Sequence, residues 1–126
     1  MMNIEKWATE RLILTPTKEE DLDELAPMLL NEKVSMYLNE HISKIPTIEA
    51  AKSFLLSILS YYNIVFTIKT KEHNQIIGQT GFIGINGELS IYYWLGTEYQ
   101  GKGYASEATV ELSYNIFTKF NYRTFS

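Results

Sequence analysis

The dipeptide Asn86-Gly87 lies between two runs of alternating side chains, and this arrangement restricts the fold more than any other feature of the chain. Both residues tolerate a positive φ, which a two-residue hairpin turn demands, so the flanking runs are expected to pair antiparallel. Before the turn, Ile76 to Ile85 forms one run; after it, Glu88 to Leu95 forms the other. In the second, Leu89, Ile91, Tyr93 and Leu95 share one face, and Glu88, Ser90, Tyr92 and Trp94 the other. Upstream, Ile64, Phe66 and Ile68 alternate with Val65, Thr67 and Lys69, and the polar tetrapeptide Lys71-Glu72-His73-Asn74 turns the chain into Ile76. Three strands in a meander follow, and a sheet with apolar residues on both faces needs helices to cover it.

Those helices are legible on either side. Arg11-Leu12-Ile13-Leu14-Thr15 reads as a first strand stopped by Pro16, and Thr17-Lys18-Glu19-Glu20 matches the capping box T-x-x-E. The helix it opens buries Leu22, Leu25 and Leu29, and Pro27 shortens or kinks it by removing a hydrogen-bond donor. From Asn31 to Pro46 there is no clear period, so this stretch reads as mostly loop with one helical turn. Thr47 caps a second helix, in which Ala51, Phe54, Leu55, Ile58, Leu59 and Tyr62 recur at helical spacing. A last helix from about Gly103 to Phe120 carries the stripe Tyr104, Ala108, Leu112, Ile116 and Phe120; Asn121 stops it, and a strand begins at Tyr122.

Composition narrows the class. The 126 residues are enough for one domain, and 45% hydrophobic with 21% charged residues is the balance of an ordinary soluble protein. Fifteen acidic against 11 basic side chains give a net charge of −4 without long charge runs, which argues against nucleic acid as the main partner. With no cysteine there is no disulfide, thiolate metal site or Cys nucleophile. The longest apolar stretches, such as Phe54 to Leu59, are too short to span a bilayer, and the start MMNIEKWATE lacks the pattern of a secretion signal. A cytoplasmic location away from membranes is the expectation.

The chemistry centres on Gly96 to Ala108, GTEYQGKGYASEA. Gly96 to Lys102 satisfies G-x-x-x-x-G-K, yet Gly103 stands where a P-loop needs a hydroxyl for Mg²⁺, and the loop leaves an antiparallel meander instead of a parallel sheet. A P-loop-like nucleotide-binding protein is therefore a remote alternative. A second reading keeps the main-chain amides and needs no metal. Gly101 and Gly103 let a diphosphate approach the backbone where the last helix starts, and there unpaired N–H groups and the dipole favour an anion. Chemistry that holds a diphosphate without cleaving it suits a carrier such as coenzyme A.

Gln100-Gly101-Lys102-Gly103-Tyr104-Ala105 matches Q/R-x-x-G-x-G/A, the signature of the GNAT superfamily of acetyl-CoA-dependent N-acetyltransferases, which the chain resembles over essentially its whole length. YYWLGTEYQGKGYASEA and the opening TERLILTPTKEEDLDEL, Thr9 to Leu25, are similar to the RimJ/RimL-like branch, which acetylates ribosomal-protein amino termini. The resemblance implies an α+β fold of the three-layer α/β type, a largely antiparallel mixed sheet flanked by helices, here without the family's C-terminal strands. It implies acetyl-CoA as cosubstrate, no metal, and direct transfer of acetyl to a primary amine of a protein terminus or small molecule. Residue by residue, it implies that the amides of Gln100, Gly101, Lys102, Gly103, Tyr104 and Ala105 bind the diphosphate. The main chain of Tyr93, Trp94 and Leu95 would pair with the pantetheine arm, with an amide near Leu95 stabilising the oxyanion.

The sequence departs from the family at several points. Where members often carry a Glu, this chain has Ser90; Glu88, two residues earlier on the same face, is the substitute base considered, with a solvated turn carboxylate as the alternative. Glu40 and His41 are candidates for the acceptor site. Tyr92 and Trp94 either line the acceptor groove or cover a helix. Complete members continue beyond the last helix with elements that supply a Tyr general acid, an Asn on CoA and the second cleft wall. A chain without them exposes a sheet edge that favours self-association. The alternative function is accordingly a non-catalytic, CoA-binding remnant.

Overall fold

A computed structural model describes residues 6–35, 45, 47–59, 63–85 and 88–119 of the 126. Its sheet has five strands in the order of the chain: β1 (Trp7–Ala8), β2 (Leu12–Pro16), β3 (Ile64–Thr70), β4 (Ile76–Ile85) and β5 (Glu88–Leu95), every neighbouring pair antiparallel. Between β2 and β3 come α1 (Leu22–Met28), α2 (Glu32–Ser35) and α3 (Ile48–Ser57); α4 (Tyr104–Lys119) follows β5. This is the expected α+β architecture. The register Ile85↔Glu88 closes the β4–β5 hairpin as the alternation demanded, while Asn86 and Gly87 lie outside the described residues. At the other hairpin Asn74 adopts φ 51°, a conformation an Asn side chain tolerates, and its N–H donates to the Thr70 carbonyl at 2.8 Å.

Apolar residues fill both faces of the sheet. Under α1 and α3, Leu22, Leu25, Leu29, Ala51, Leu55 and Ile58 meet Val65, Ile76, Tyr92 and Trp94. Under α4, Ala108, Leu112 and Ile116 meet Leu12, Leu14, Phe66, Ile68, Ile77, Phe82 and Leu95. Tyr92 and Trp94 on one face of β5 and Leu95 on the other are thus placed as the alternation assigned. Thr47 caps α3 as expected, its hydroxyl accepting the Ala50 N–H at 3.1 Å. Past Pro27 the hydrogen bonds tighten to three-residue spacing, Leu30 to Pro27 and Asn31 to Met28, and α1 ends.

Two local readings are corrected. The Thr17 capping box does not form: Thr17 stays in sheet register, its N–H bonded to the Val65 carbonyl at 3.1 Å, so the helical turn Glu19–Asp21 starts one residue later. Asp21 caps instead, its carboxylate accepting the Lys18 N–H at 3.0 Å. The strand β1 was not foreseen; it is two residues long, and Trp7 is held by stacking on Phe66 with ring centroids 4.5 Å apart.

A buried polar chain crosses the face beneath α1. The Thr67 hydroxyl donates to Asp21 at 2.9 Å and lies 2.9 Å from the Thr17 hydroxyl, which accepts from Gln79 Nε2 at 3.1 Å. Gln79 Oε1 accepts from the Tyr92 hydroxyl at 3.0 Å and the Trp94 indole at 3.1 Å. Gln79 is fully buried, so replacing it with an apolar side chain leaves the buried Tyr92 hydroxyl without an acceptor and the Trp94 indole with that hydroxyl alone. We expect Gln79→Leu to lower unfolding free energy by about 1–3 kcal/mol, measured by urea denaturation; an unchanged midpoint would contradict the role given to this amide.

Candidate active site

The site is built where β5 runs into α4. Gly96 N–H donates to the Ile77 carbonyl of β4 at 2.9 Å, so the alternation of an antiparallel ladder points the main chain of Trp94 toward β4 and that of Tyr93 and Leu95 to the outer edge. Among the described residues no strand pairs with that edge. Leu95 C=O accepts from Gln100 Nε2 at 3.0 Å, and this bond folds the loop back over the strand end. Thr97–Tyr99 makes one 3-10 turn, after which Gly101 (φ 77°) and Gly103 (φ 83°) take left-handed conformations and α4 begins. A side chain at either glycine is strained. Glu107 N–H bonds the Gly103 carbonyl at 3.0 Å, so the N–H groups of Tyr104, Ala105 and Ser106 precede the helical ladder and have no acceptor within it.

Tyr93, Trp94, Leu95, Gln100, Gly101 and Ala105 enclose a pocket of about 190 Å³. Six of the nine expected cofactor residues thus meet in one place. Of the other three, Lys102 and Tyr104 line a second hollow of about 460 Å³ on the side of the β3–β4 turn, and Gly103 lies between them in the chain. Where a Gly101 Cβ would stand there is no other atom within 4 Å, so the main chain is open to a ligand. Glycine conformation, bare amides and an adjoining slot along β5 fit a diphosphate followed by an extended arm. Among the described residues no group of three or more His, Asp or Glu is placed to hold a metal ion.

The acceptor-side expectations fare differently. Tyr92 is buried under the helices, with its hydroxyl on Gln79 and accepting from the Trp94 indole at 2.9 Å, so it packs a helix and does not line a groove. Burial pushes its ionisation well above the ordinary tyrosine value, against the opposing effect of the Trp94 hydrogen bond, and it stays a neutral phenol at neutral pH. Glu88 opens β5 opposite Ile85. Leu95 lies seven steps further along the same strand, about 23 Å at ~3.3 Å per residue. The backbone of Glu88, the candidate base, thus stands at the opposite end of β5 from the Leu95 amide, the candidate oxyanion donor. Glu40, His41 and the side chain of Glu88 lie outside the described residues.

One cluster was not singled out from sequence. The Glu107 carboxylate, in the first turn of α4, accepts from the Thr9 hydroxyl, from the Arg11 N–H at 2.9 Å and from Arg11 Nε at 2.7 Å. Arg11 in turn covers the Tyr104 ring, 4.4 Å from its centroid. Arg and Glu stand 96 positions apart, and no local pattern joins them.

The comparisons with known proteins agree with this geometry. Residues 11–126 match the acetyltransferase (GNAT) domain model. The chain belongs to the GNAT acetyltransferase family. It is 35% identical to the uncharacterized N-acetyltransferase p20 of Bacillus licheniformis over 94% of its own length and 69% of that protein's. An acetyltransferase from Agrobacterium tumefaciens superposes with a TM-score of 0.77 at 21% identity, covering 97% of this chain and 72% of that one. A Salmonella typhimurium acetyltransferase that modifies the N-terminal serine of ribosomal protein L7/L12 superposes with a TM-score of 0.73 at 21% identity, over 93% of this chain and 70% of that one. RimL solved with coenzyme A aligns at 0.68 and 19% identity, over 86% and 64%. The GNAT family uses acetyl-CoA, and membership makes acetyl transfer the general activity. None of the helices among the described residues is long and apolar enough to cross a membrane.

Burial works to raise the Glu107 carboxyl, but the bonds from Thr9 and Arg11 and the Arg11 charge outweigh it and hold the group below the usual carboxylate range. A carboxylate whose folded pKa is depressed contributes stability above its unfolded value and loses it as pH falls through the folded one. Glu107→Gln should therefore cost on the order of 1 kcal/mol at pH 7, Arg11 being half exposed. Denaturation across a pH series should show the deficit shrinking below the ordinary carboxylate range; a deficit constant with pH would contradict the ion pair.

Proposed function

We propose that this chain binds acetyl-CoA across the β5–α4 junction and transfers the acetyl group directly to a primary amine, with a protein amino terminus the acceptor class. The observation carrying the proposal is the outward-facing main chain of Tyr93 and Leu95, which leads straight into a loop with two left-handed glycines at a helix start. The amides of Gly101 to Ala105 hold the diphosphate by charge-assisted hydrogen bonds and the helix dipole. The edge of β5 takes the pantetheine arm as an added strand would be taken. The acceptor class rests on the likeness to the Salmonella enzyme and to RimL, each of which acts on the amino terminus of L7/L12.

In this reading the thioester supplies the activated acetyl carbon. The amine nitrogen bonds to that carbon, and the outward Leu95 N–H stabilises the negative charge developing on the carbonyl oxygen. The carbon–sulfur bond then breaks and the thiolate leaves, taking up a proton. Of the described residues lining the pocket, none carries a carboxylate or imidazole, and in this reading the amine's own proton passes to water at the open mouth. No covalent enzyme intermediate forms.

The test is release of free CoA from acetyl-CoA with a peptide bearing an N-terminal serine, with a polyamine, and with no acceptor. The peptide should turn over fastest, and Gly103→Glu, which puts a strained and negatively charged side chain into the diphosphate site, should reduce kcat/KM at least about a hundredfold. Tight CoA binding without turnover would instead support the non-catalytic alternative. With water as the proton acceptor, the pH–rate profile of kcat/KM should shift with the pKa of the amine offered; a limb fixed near a carboxylate or imidazole value for every acceptor would contradict that route.

A further inference from the structure

The diphosphate site proposed above has a charge problem. Its helix start carries a carboxylate one turn in, Glu107, and the protein is acidic overall at −4. Glu107 suits the helix dipole but repels a bound anion in the same place. Lys102 is exposed on the loop and is oriented by no ion pair found among the described residues. Arg11 is different. It arrives from the β1–β2 turn, its N–H and Nε are fixed on Glu107, its carbonyl accepts the Lys71 N–H at 2.9 Å, and its guanidinium carbon sits over the Tyr104 ring, 4.4 Å from the centroid. With Nε committed, a terminal nitrogen points at the loop: Nη2 lies 3.4 Å from the position a Gly103 Cβ would occupy. No bond from either terminal nitrogen is found among the described residues, and the side chain is 44% exposed.

We infer that Arg11 is a cofactor-binding residue, the cationic component of the diphosphate site, and that Glu107 and Tyr104 are positioning residues that aim it. The inference rests on the acetyl-CoA reading. A planar guanidinium with one edge fixed by a carboxylate and one face by an aromatic ring loses little freedom when its remaining N–H groups bond a phosphate oxygen. Glycine at 103 gains a second reason: any side chain there would stand between that guanidinium and the anion.

Calorimetric titration of the 126-residue chain with CoA and, separately, with pantetheine, which lacks the diphosphate, tests this. Arg11→Met should weaken CoA binding about ten- to thirtyfold while pantetheine affinity stays within about twofold, and Arg11→Lys should recover part of the loss. The double variant Arg11→Met/Glu107→Gln separates direct contact from mere cancellation of the Glu107 charge. If Arg11 touches the phosphates, the double variant stays weak; restored CoA affinity would overturn the inference. So would equal losses for CoA and pantetheine, which mark a folding effect, or an Arg11→Met chain that binds CoA as the wild type does. Failure of the wild type to bind CoA at all would sink the acetyl-CoA reading first, and is read before any variant.

Discussion

The structure turns on the few residues in which an edge strand becomes a helix. Leu95 ends β5 with its main chain directed outward, and α4 begins at Tyr104. The Gln100–Leu95 bond and two left-handed glycines make the intervening reversal. Among the described residues, a strand edge with no paired strand and a helix start with no intrahelical acceptors are both unfilled hydrogen-bonding surfaces, costly if buried without partners. Set side by side, they match a ligand with an anionic head and an amide-rich extended arm. Geometry of this kind binds without needing a metal or a reactive side chain in the loop.

Much of the remaining chain serves to hold that junction still. Leu112 and Ile116 fasten α4 to the sheet face formed by Leu12, Leu14, Phe66 and Ile68. On the opposite face Gln79 collects the polar atoms of Tyr92 and Trp94, so the inner side chains of β5 are fixed while no described strand pairs with its outer main chain. Gly78 allows β4 to approach closely, since a Cβ there would fall 2.2 Å from the Trp94 carbonyl oxygen. The Thr9–Arg11–Glu107 cluster ties the first turn of α4 to the start of the sheet. Rigid support on three sides is what a site made of main-chain groups requires, because its precision comes from backbone placement.

What could be read from the sequence follows from the range of the forces involved. The three-strand meander, the Thr47 cap, the core stripe of α4 from Tyr104 to Ile116 and the glycine loop are all local or periodic patterns, and they are found where expected; Phe120, the last residue of that stripe, lies outside the described residues. The shift of the capping box from Thr17 to Lys18 and Asp21 was hidden, because pairing with β3, a tertiary contact, decides where β2 lets go. Tyr92 was ambiguous for a related reason: alternation fixes the face of a side chain but not whether helices cover it. Arg11 with Glu107 could not be seen at all, since only the folded sheet brings position 11 to the start of α4.

The central claim is that backbone amides at the β5–α4 junction grip the diphosphate of a thioester carrier. Amide nitrogen and proton shifts followed by NMR during CoA titration examine those atoms one by one. The account predicts saturable shifts concentrated at Gly101, Gly103, Tyr104 and Ala105, accompanied by Tyr93 and Leu95 on the strand edge. Saturable binding that leaves these six amides unmoved and shifts residues elsewhere would contradict it.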